Sequence, residues 1–504
     1  MKYIDKFLDA TTMYRLVLYY LILLVVAAFV FSFFKLLPFG PIQLAISTIA
    51  AIVLCYVTNK IFSWVFGAPT NSESLFISAL LIVLIVSPPL SFADAPLLFW
   101  VCVLTMSSKY IMAIKKKHIF NPVAIAVVLT SQGFGGSASW WIATLPMLPF
   151  ALLGFLIVKK IRRYDMILYF FLSALISITG LTLFNKGDLI NTYKEIFLSY
   201  PIIFFAFVML TEPLTTPPTK KLQAIYGAIV GFLFSPEFHI YSLYTTPEVA
   251  LVVGNVFSYI VSPKYKLVLK LKEKIKTGTD MVDFLFKLED KLDFTPGQYM
   301  EWTLPHVNPD KRGNRRYFTV ASSPTENTLR LGVKFYPKGS SFKKNLILVD
   351  DDTPVIAGSM SGDFTLPKDP TKKLVFIAGG IGVTPFRSMI KYLVDKGDVR
   401  EITLIFSNRT QDEIIYSDLF TQAQHSLGIK TVYTLTDKDS VPANWTGKVG
   451  RVDEEMIKTE VPDYLERYFY ISGPHVMVVA FEKTLRKMGI KRSHIIKDFF
   501  PGFA

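Results

Sequence analysis

Between Leu16 and Val261 apolar residues come in long runs, whereas from Lys264 onward they alternate with polar residues in short blocks. A helix needs about 20 mainly apolar residues to cross a bilayer. Runs of that kind begin near Leu16, Ile42, Leu75, Pro96, Ile119, Trp140, Met166, Leu189, Leu222 and His239, which predicts about ten spans. The stretch from Val282 to Leu366 alternates apolar and polar positions, with turn signals at Pro296-Gly297, Asn308-Pro309, Gly339 and Ser361-Gly362. That pattern predicts a small antiparallel β-barrel. Beyond it, apolar runs at Leu374–Ala378, Ile402–Phe406, Lys430–Tyr433 and Tyr468–Ile471 alternate with helical segments, the pattern of a parallel α/β sheet. The expected organisation is a polytopic α-helical membrane domain over 1–263, a barrel over 264–368 and an α/β domain over 369–504.

Composition sharpens this division. The chain has 504 residues, 51% of them apolar, and a mean hydropathy of +0.39, too high for an average soluble protein. The first run is long, lacks a small-residue cleavage site and is followed at once by further runs, so it is not read as a cleavable signal. The net charge is +14, but the basic residues cluster beside apolar runs, so membrane orientation explains them and no nucleic-acid partner is expected. Lys115, Lys116, Lys117 and His118 follow the fourth span, and Lys159, Lys160, Arg162 and Arg163 the sixth. Lys220 and Lys221 follow the eighth, and Lys264 and Lys266 the tenth. All lie at even-numbered exits, which predicts an integral protein of the cell inner membrane with its N-terminus and second half in the cytoplasm. The two cysteines, Cys55 and Cys102, exclude a disulfide framework, a thiolate zinc site and a four-cysteine iron–sulfur cluster. No metal site is expected. Only His118 and His239 precede Ser262, too few for stacked bis-histidine haems.

Polar and helix-breaking residues are the informative ones in the first half. Asn121-Pro122 opens one span, and Thr211-Glu212-Pro213-Leu214-Thr215-Thr216-Pro217-Pro218-Thr219 closes another. Prolines free carbonyls that at membrane depth must face protein, water or a ligand. Asn121, Glu212, Thr215 and Thr216 are the membrane half's candidate binding residues; the competing reading of the second stretch is a cytoplasmic turn with Glu212 at headgroup level.

In the second half, Gly379-Gly380-Ile381-Gly382-Val383-Thr384-Pro385 ends an apolar run. Such glycines let the backbone approach a pyrophosphate, and Pro385 suits the first turn of the next helix. Other motifs fall in order around this loop. Phe294–Tyr299, Arg316–Ser322, Gly339-Ser340-Ser341 and Gly358–Phe364 precede it, and Ser407-Asn408-Arg409, Ser472-Gly473-Pro474 with Met477, and Asp498–Phe503 follow. This order and spacing resemble the ferredoxin–NADP⁺ reductase superfamily over essentially all of Lys264–Ala504. The resemblance implies an FAD domain and an NAD(P)H domain. It assigns the flavin pyrophosphate to Arg316, the isoalloxazine to Phe318 and its N5 region to Thr319, with Gly339, Ser340 and Ser341 completing a phosphate cradle. It assigns the nicotinamide nucleotide to Gly379, Gly380, Gly382, Thr384 and Pro385, with Gly473, Pro474 and Met477 along its path. Ser472 stands where the family often has cysteine, Phe318 replaces the commoner tyrosine, and Phe503 matches the family's C-terminal aromatic over the flavin. Thr319, Phe318, Ser472 and Phe503 are thus the expected catalytic positions. Arg409 either binds the 2′-phosphate of NADPH or pairs with an acidic neighbour, so cofactor preference stays open.

Four segments of the first half, Lys6–Leu18, Ser72–Pro89, Ser108–Pro122 and Met209–Gly227, are similar to the RnfD/NqrB family of membrane flavin proteins, found in the Rnf complexes and the sodium-translocating NADH:quinone reductase. That family commonly carries FMN attached to threonine in a Ser-Gly-Ala-Thr motif. The nearest string here is Gly136-Ser137-Ala138-Ser139, so the resemblance implies FMN or another flavin without that attachment. The combined expectation is a membrane-bound oxidoreductase. Electrons pass from NAD(P)H through FAD into the membrane half and on to a quinone or a trans-membrane acceptor. The alternatives are a redox-regulated or redox-driven ion (sodium) transporter and, less favoured, a haem-containing ferric reductase.

Overall fold

The computed structural model describes residues 4–498 except 6, 9–10, 68–71, 92–93, 115–116, 135, 241–242, 264–265 and 311. Lys115, Lys116, Lys264 and the whole of 499–504, with Phe503, lie outside the described residues. The chain divides into two units, Met1–Tyr265 and Lys266–Ala504.

The first unit is helical. Met13–Phe33, Pro41–Val65 and Tyr164–Phe184 are long and apolar enough to cross a membrane. Leu189–Leu198 and Ile202–Met209 make a fourth only if taken together across a 59° bend. Among the described residues, the expected count of about ten spans is therefore not reached by helices of full length. Ala95–Ile111 and Pro247–Val261 are shorter apolar helices. The run beginning at Trp140 breaks into short turns from Trp141 to Ile161, because Pro146 and Pro149 each remove a backbone donor and start a new turn. The last helix starts at Pro247 rather than at His239, which instead begins a two-residue β-bridge to Leu243–Tyr244.

Apolar side chains cover the outside of this unit as well as its interior. Trp64 and Phe184 are each 83% exposed, and Ile42, Phe33 and Ile176 are similarly bare. Apolar exposure on this scale marks a surface made for lipid or a partner. Inside, helices Tyr164–Phe184 and Lys220–Leu233 lie backbone to backbone. A Cβ on Gly227 would fall 2.3 Å from the Met166 carbonyl oxygen, and one on Gly231 would fall 2.3 Å from that of Phe170. Ser173 and Ser177 donate across the same seam to the carbonyls of Ala228 and Phe232 at 2.7 and 2.8 Å. Small residues allow this close approach where apolar burial alone gives no preference between helix and lipid.

The second unit begins with seven strands: β1 (Leu267–Leu269), β2 (Leu271–Gly278), β3 (Met281–Lys287), β4 (Tyr299–Thr303), β5 (Arg315–Thr319), β6 (Thr328–Lys334) and β7 (Val355–Ser361). They form two antiparallel sheets, ordered β6-β3-β2 and β1-β7-β4-β5. Six more strands follow: β8 (Leu374–Gly379), β9 (Ile402–Asn408), β10 (Lys430–Leu435), β11 (Lys448–Val449), β12 (Tyr468–Ser472) and β13 (Ile495–Asp498). These make one parallel sheet in the order β11-β10-β9-β8-β12-β13. Strand β8 is buried on both faces, with Phe376 and Ala378 packed on one side and Val375 and Ile377 on the other. That burial explains its unbroken apolar run.

Gly227→Ala is expected to destabilise the first unit by about 1–3 kcal/mol, since the methyl meets backbone rather than a movable side chain. Gly180→Ala in the facing helix has open space and is expected to leave stability unchanged or slightly raised. Thermal unfolding of the full-length protein in detergent measures both.

Candidate functional site

Strand β5 carries Arg316, Phe318 and Thr319, and its ladder with β4 sets Thr319 opposite Tyr299 and Phe318 opposite Met300. Arg316 is buried and donates from Nη1 to the carbonyls of Arg312 and Arg315 at 2.6 Å. Its guanidinium lies 5.3 Å from the Phe342 ring centre, and the Phe318 ring is 6.0 Å from the same ring. Burial pulls Arg316 down to about 10 although Asp310 opposes this. Burial, aided by Arg316 and Arg312, pulls Lys343 down to about 8. Burial works against ionisation of Asp310, yet hydrogen bonds from Arg312 and the Ser341 amide hold it near 2. Arg312, Arg316 and Lys343 thus gather three cations near one another, with one carboxylate, Asp310, against the arginines, while the Lys343 ammonium donates to the Lys334 carbonyl at 2.8 Å. A pyrophosphate fits that excess of positive charge, and Arg316 and Lys343 are the residues that would hold it.

The two serines of the expected cradle have other duties. The Ser340 hydroxyl accepts from the Lys343 amide at 3.3 Å, capping the short helix Ser341–Leu346. The Ser341 hydroxyl accepts from the Asp310 amide at 2.9 Å and lies 3.1 Å from His306 Nε2. Gly339 closes a turn onto the Tyr336 carbonyl at 2.9 Å. In this structure both serine hydroxyls order the loops that position Arg316 and Lys343.

On the other side, strand β8 runs into Gly379 and a 3₁₀ turn over Gly380–Val383, and Thr384-Pro385 opens the helix Thr384–Lys396. Gly380 has φ of +52°, a left-handed conformation suited to glycine. A Cβ on Gly379 would stand 2.3 Å from Met477 Sδ, and one on Gly382 would stand 2.6 Å from Gly473 Cα. The structure therefore brings the glycine loop, Gly473 and Met477 into direct contact, with Pro474 3.4 Å from the Gly379 Cβ position. Thr384 donates back to the Ile381 carbonyl at 3.1 Å. Arg409 projects outward with its side chain 74% exposed, 3.8 Å from Asp437.

Ser472 and Asp498 are register partners on β12 and β13. The Ser472 hydroxyl donates to Asp498 Oδ2 at 3.2 Å, and Thr319 lies near enough to favour ionisation of the same carboxyl. Asp498 therefore stands where the end of the flavin-side strand comes near the nucleotide-side sheet. Burial pushes its pKa up to about 7 against the pull of Ser472 and Thr319. The sequence placed Asp498 in a motif without giving it a role; its only signal was a carboxylate at the end of a buried strand.

In the first unit, Asn121, Glu212 and Thr215 meet. Asn121 Nδ2 donates to Glu212 Oε2 at 2.8 Å, and the Thr215 hydroxyl donates to the same oxygen at 3.1 Å. Asn121 also caps its helix by accepting from the amides of Val123 and Ala124. Asn255, absent from the sequence-based candidates, accepts from the Asn121 amide at 2.7 Å and donates to the Tyr226 hydroxyl at 3.1 Å. Thr216 turns to Arg163 instead.

Residues 268–361 match the oxidoreductase FAD-binding domain and residues 376–483 the oxidoreductase NAD-binding domain. The C-terminal half carries the flavin and nucleotide domains of the ferredoxin–NADP⁺ reductase superfamily. The chain is similar to the flavohemoprotein of Bacillus cereus, 26% identical over 318 residues, covering 60% of this chain and 75% of the relative. It is also similar to NADH-cytochrome b5 reductase 1 of Ajellomyces capsulatus, 28% identical over 258 residues, covering 48% of this chain and 82% of the relative. Among solved structures, the cytochrome b5 reductase domain of Ulva prolifera nitrate reductase is 24% identical with a TM-score of 0.42, covering 47% of this chain and 98% of that one. The reductase half uses FAD and NAD(P)H, and the protein is an NAD(P)H-dependent flavin oxidoreductase.

Two outcomes test this site. Arg316→Ala in the reductase is expected to weaken FAD binding ~10- to 100-fold, the loss of a charge-assisted phosphate bond, read by fluorescence titration of FAD into flavin-stripped protein. Asp498 supplies a pH dependence. Its folded pKa lies above the unfolded carboxyl value, so the folded state holds the extra proton. Stability then falls as pH rises from about 4 to 7 and is level above that. A buried negative charge beside Thr319 and Ser472 also opposes the arrival of a hydride. Turnover is therefore expected to drop on the order of tenfold, about 1.4 kcal/mol of barrier, as pH rises through 7. Asp498→Asn should flatten both profiles.

Proposed function

We propose that the reductase half feeds electrons into the helical half, which lies in the cell inner membrane with the N-terminus and the reductase domains cytoplasmic. The bundle of about ten crossings expected from the sequence then includes short and broken helices. The final acceptor is a quinone in the bilayer or an acceptor across it. One observation carries the reading: a single chain joins FAD and NAD domains to a unit whose long apolar helices expose residues such as Trp64 and Phe184. The likeness of the first half to the RnfD/NqrB family supports it. Bound flavin supplies the chemistry that turns a two-electron donor into one-electron steps.

This chain's own residues do the rest. Arg316 and Lys343 hold the pyrophosphate, and the Gly379–Gly382 loop with Met477 shapes the nucleotide path. Ser472 is held by Asp498, and Thr319 lies near the same carboxyl, so one acidic group faces both sides of the transfer position. In the helical half, Asn121, Glu212 and Thr215 form the polar cluster at which a second flavin, FMN or another without covalent attachment, would exchange hydrogen bonds.

A second reading rests on that same cluster. The Glu212 carboxylate and the Thr215 hydroxyl oxygen lie together at the proline-broken end of a helix, a place where an ion could be held, so redox-driven sodium movement is the alternative. Proteoliposomes with NADH outside distinguish the readings. Reduction of ferricyanide trapped inside, or of ubiquinone in the bilayer, is expected at rates well above those of vesicles holding the Arg316→Ala variant. Reduction confined to acceptors on the NADH side contradicts the membrane role. Uptake of labelled sodium that requires NADH would establish the second reading.

A further inference from the structure

Two segments of the second unit carry the groups that must meet for hydride transfer. One is the stretch leaving β5 after Thr319; the other is the helix Thr384–Lys396 that follows the glycine loop. Buried polar groups with no role in the site described above fasten these segments together. Arg387, 6% exposed, donates from Nη1 to the Ala321 carbonyl at 2.8 Å. Its fork grips Glu326 at 2.5 and 2.9 Å. The next residue, Ser388, is fully buried and donates to the Ser322 carbonyl at 2.7 Å. Glu326 in turn accepts from the Ser323 amide at 2.7 Å, so the carboxylate holds the same stretch that Arg387 and Ser388 bind.

The anchor lies close to both reacting sides. Ala321 is two residues past Thr319, and Arg387 is three residues past Thr384, less than one helical turn. A buried ion pair is a poor device for stability alone, because apolar residues of equal volume do as well or better. Its advantage is direction: a planar fork on a carboxylate fixes orientation as well as distance.

We propose that Arg387, gripped by Glu326, is a positioning residue for hydride transfer that sets the separation between the Thr319 end of β5 and Thr384. The proposal rests on the chemistry of the reductase half and is independent of where the electrons go afterwards. Arg387→Lys keeps the charge and removes the fork. Two measurements on the full-length protein in detergent test it. Hydrogen–deuterium exchange of flavin-stripped protein should show faster exchange at 320–326 and 384–396 together, with the other strands of both lobes unchanged. With FAD restored, NADH as donor and ferricyanide as acceptor, kcat should fall ~10- to 100-fold, the cost of a misplacement on the order of 1 Å. KM for NADH and FAD content should stay within about twofold. Unchanged kcat, or a fall in kcat that comes only with lost FAD and with faster exchange throughout the unit, overturns the proposal. Should Arg387→Lys fail to fold, Ser388→Ala decides the question, with the same two-segment exchange pattern and a smaller fall in kcat expected.

Discussion

Everything in the catalytic half depends on how a strand end in one lobe is held to a helix start in the other. Hydride transfer tolerates little error in distance, and the two sides are built on separate sheets, one antiparallel and one parallel. Apolar packing alone would let them slide. The structure instead places directional groups between them: Arg387 on the Ala321 carbonyl and Glu326, Ser388 on the Ser322 carbonyl, and Tyr416 donating to Asp283 at 2.7 Å. Asp283 is fully buried and paired with Arg330 at 2.6 Å. Gly332 shows how tight this contact is, since a Cβ there would lie 2.9 Å from both Thr384 and the Tyr416 hydroxyl.

The charge pattern of the flavin side follows from the same need for order. Three cations and one carboxylate are drawn together by a turn at Gly339, a cap at Ser340 and a loop tied down at Ser341 and Asp310. Like charges held together in a partly dry place depress one another's basicity, as Lys343 shows. An anion would offset that repulsion, so the cluster suits binding better than it suits stability.

Motifs that act locally were legible in the sequence. The glycine loop, the Arg316–Thr319 strand and the Ser472-Gly473-Pro474 turn each need particular residue types at fixed offsets, so a string of letters reveals them. Contacts between distant residues were not legible. Arg387 and Glu326 are 61 positions apart, and Tyr416 and Asp283 are 133 apart, and nothing in either neighbourhood announces the other. Asp498 was visible as a letter, but its two partners belong to different sheets. In the helical half, hydropathy found the runs yet overlooked how Pro146 and Pro149 would break the one at Trp140. Asn255 went unnoticed because one asparagine in an apolar helix carries no pattern, although it joins Asn121 to Tyr226.

Electron cryo-microscopy of the full-length protein with FAD and an NADH analogue that cannot donate its hydride is the most direct test of this arrangement. Pyrophosphate density is expected against Arg316 and Lys343, and a nicotinamide ring beside Thr319 and Ser472 with its phosphates on the Gly379–Gly382 loop. Density for the flavin away from Arg316, or a nicotinamide bound far from Ser472, would contradict it.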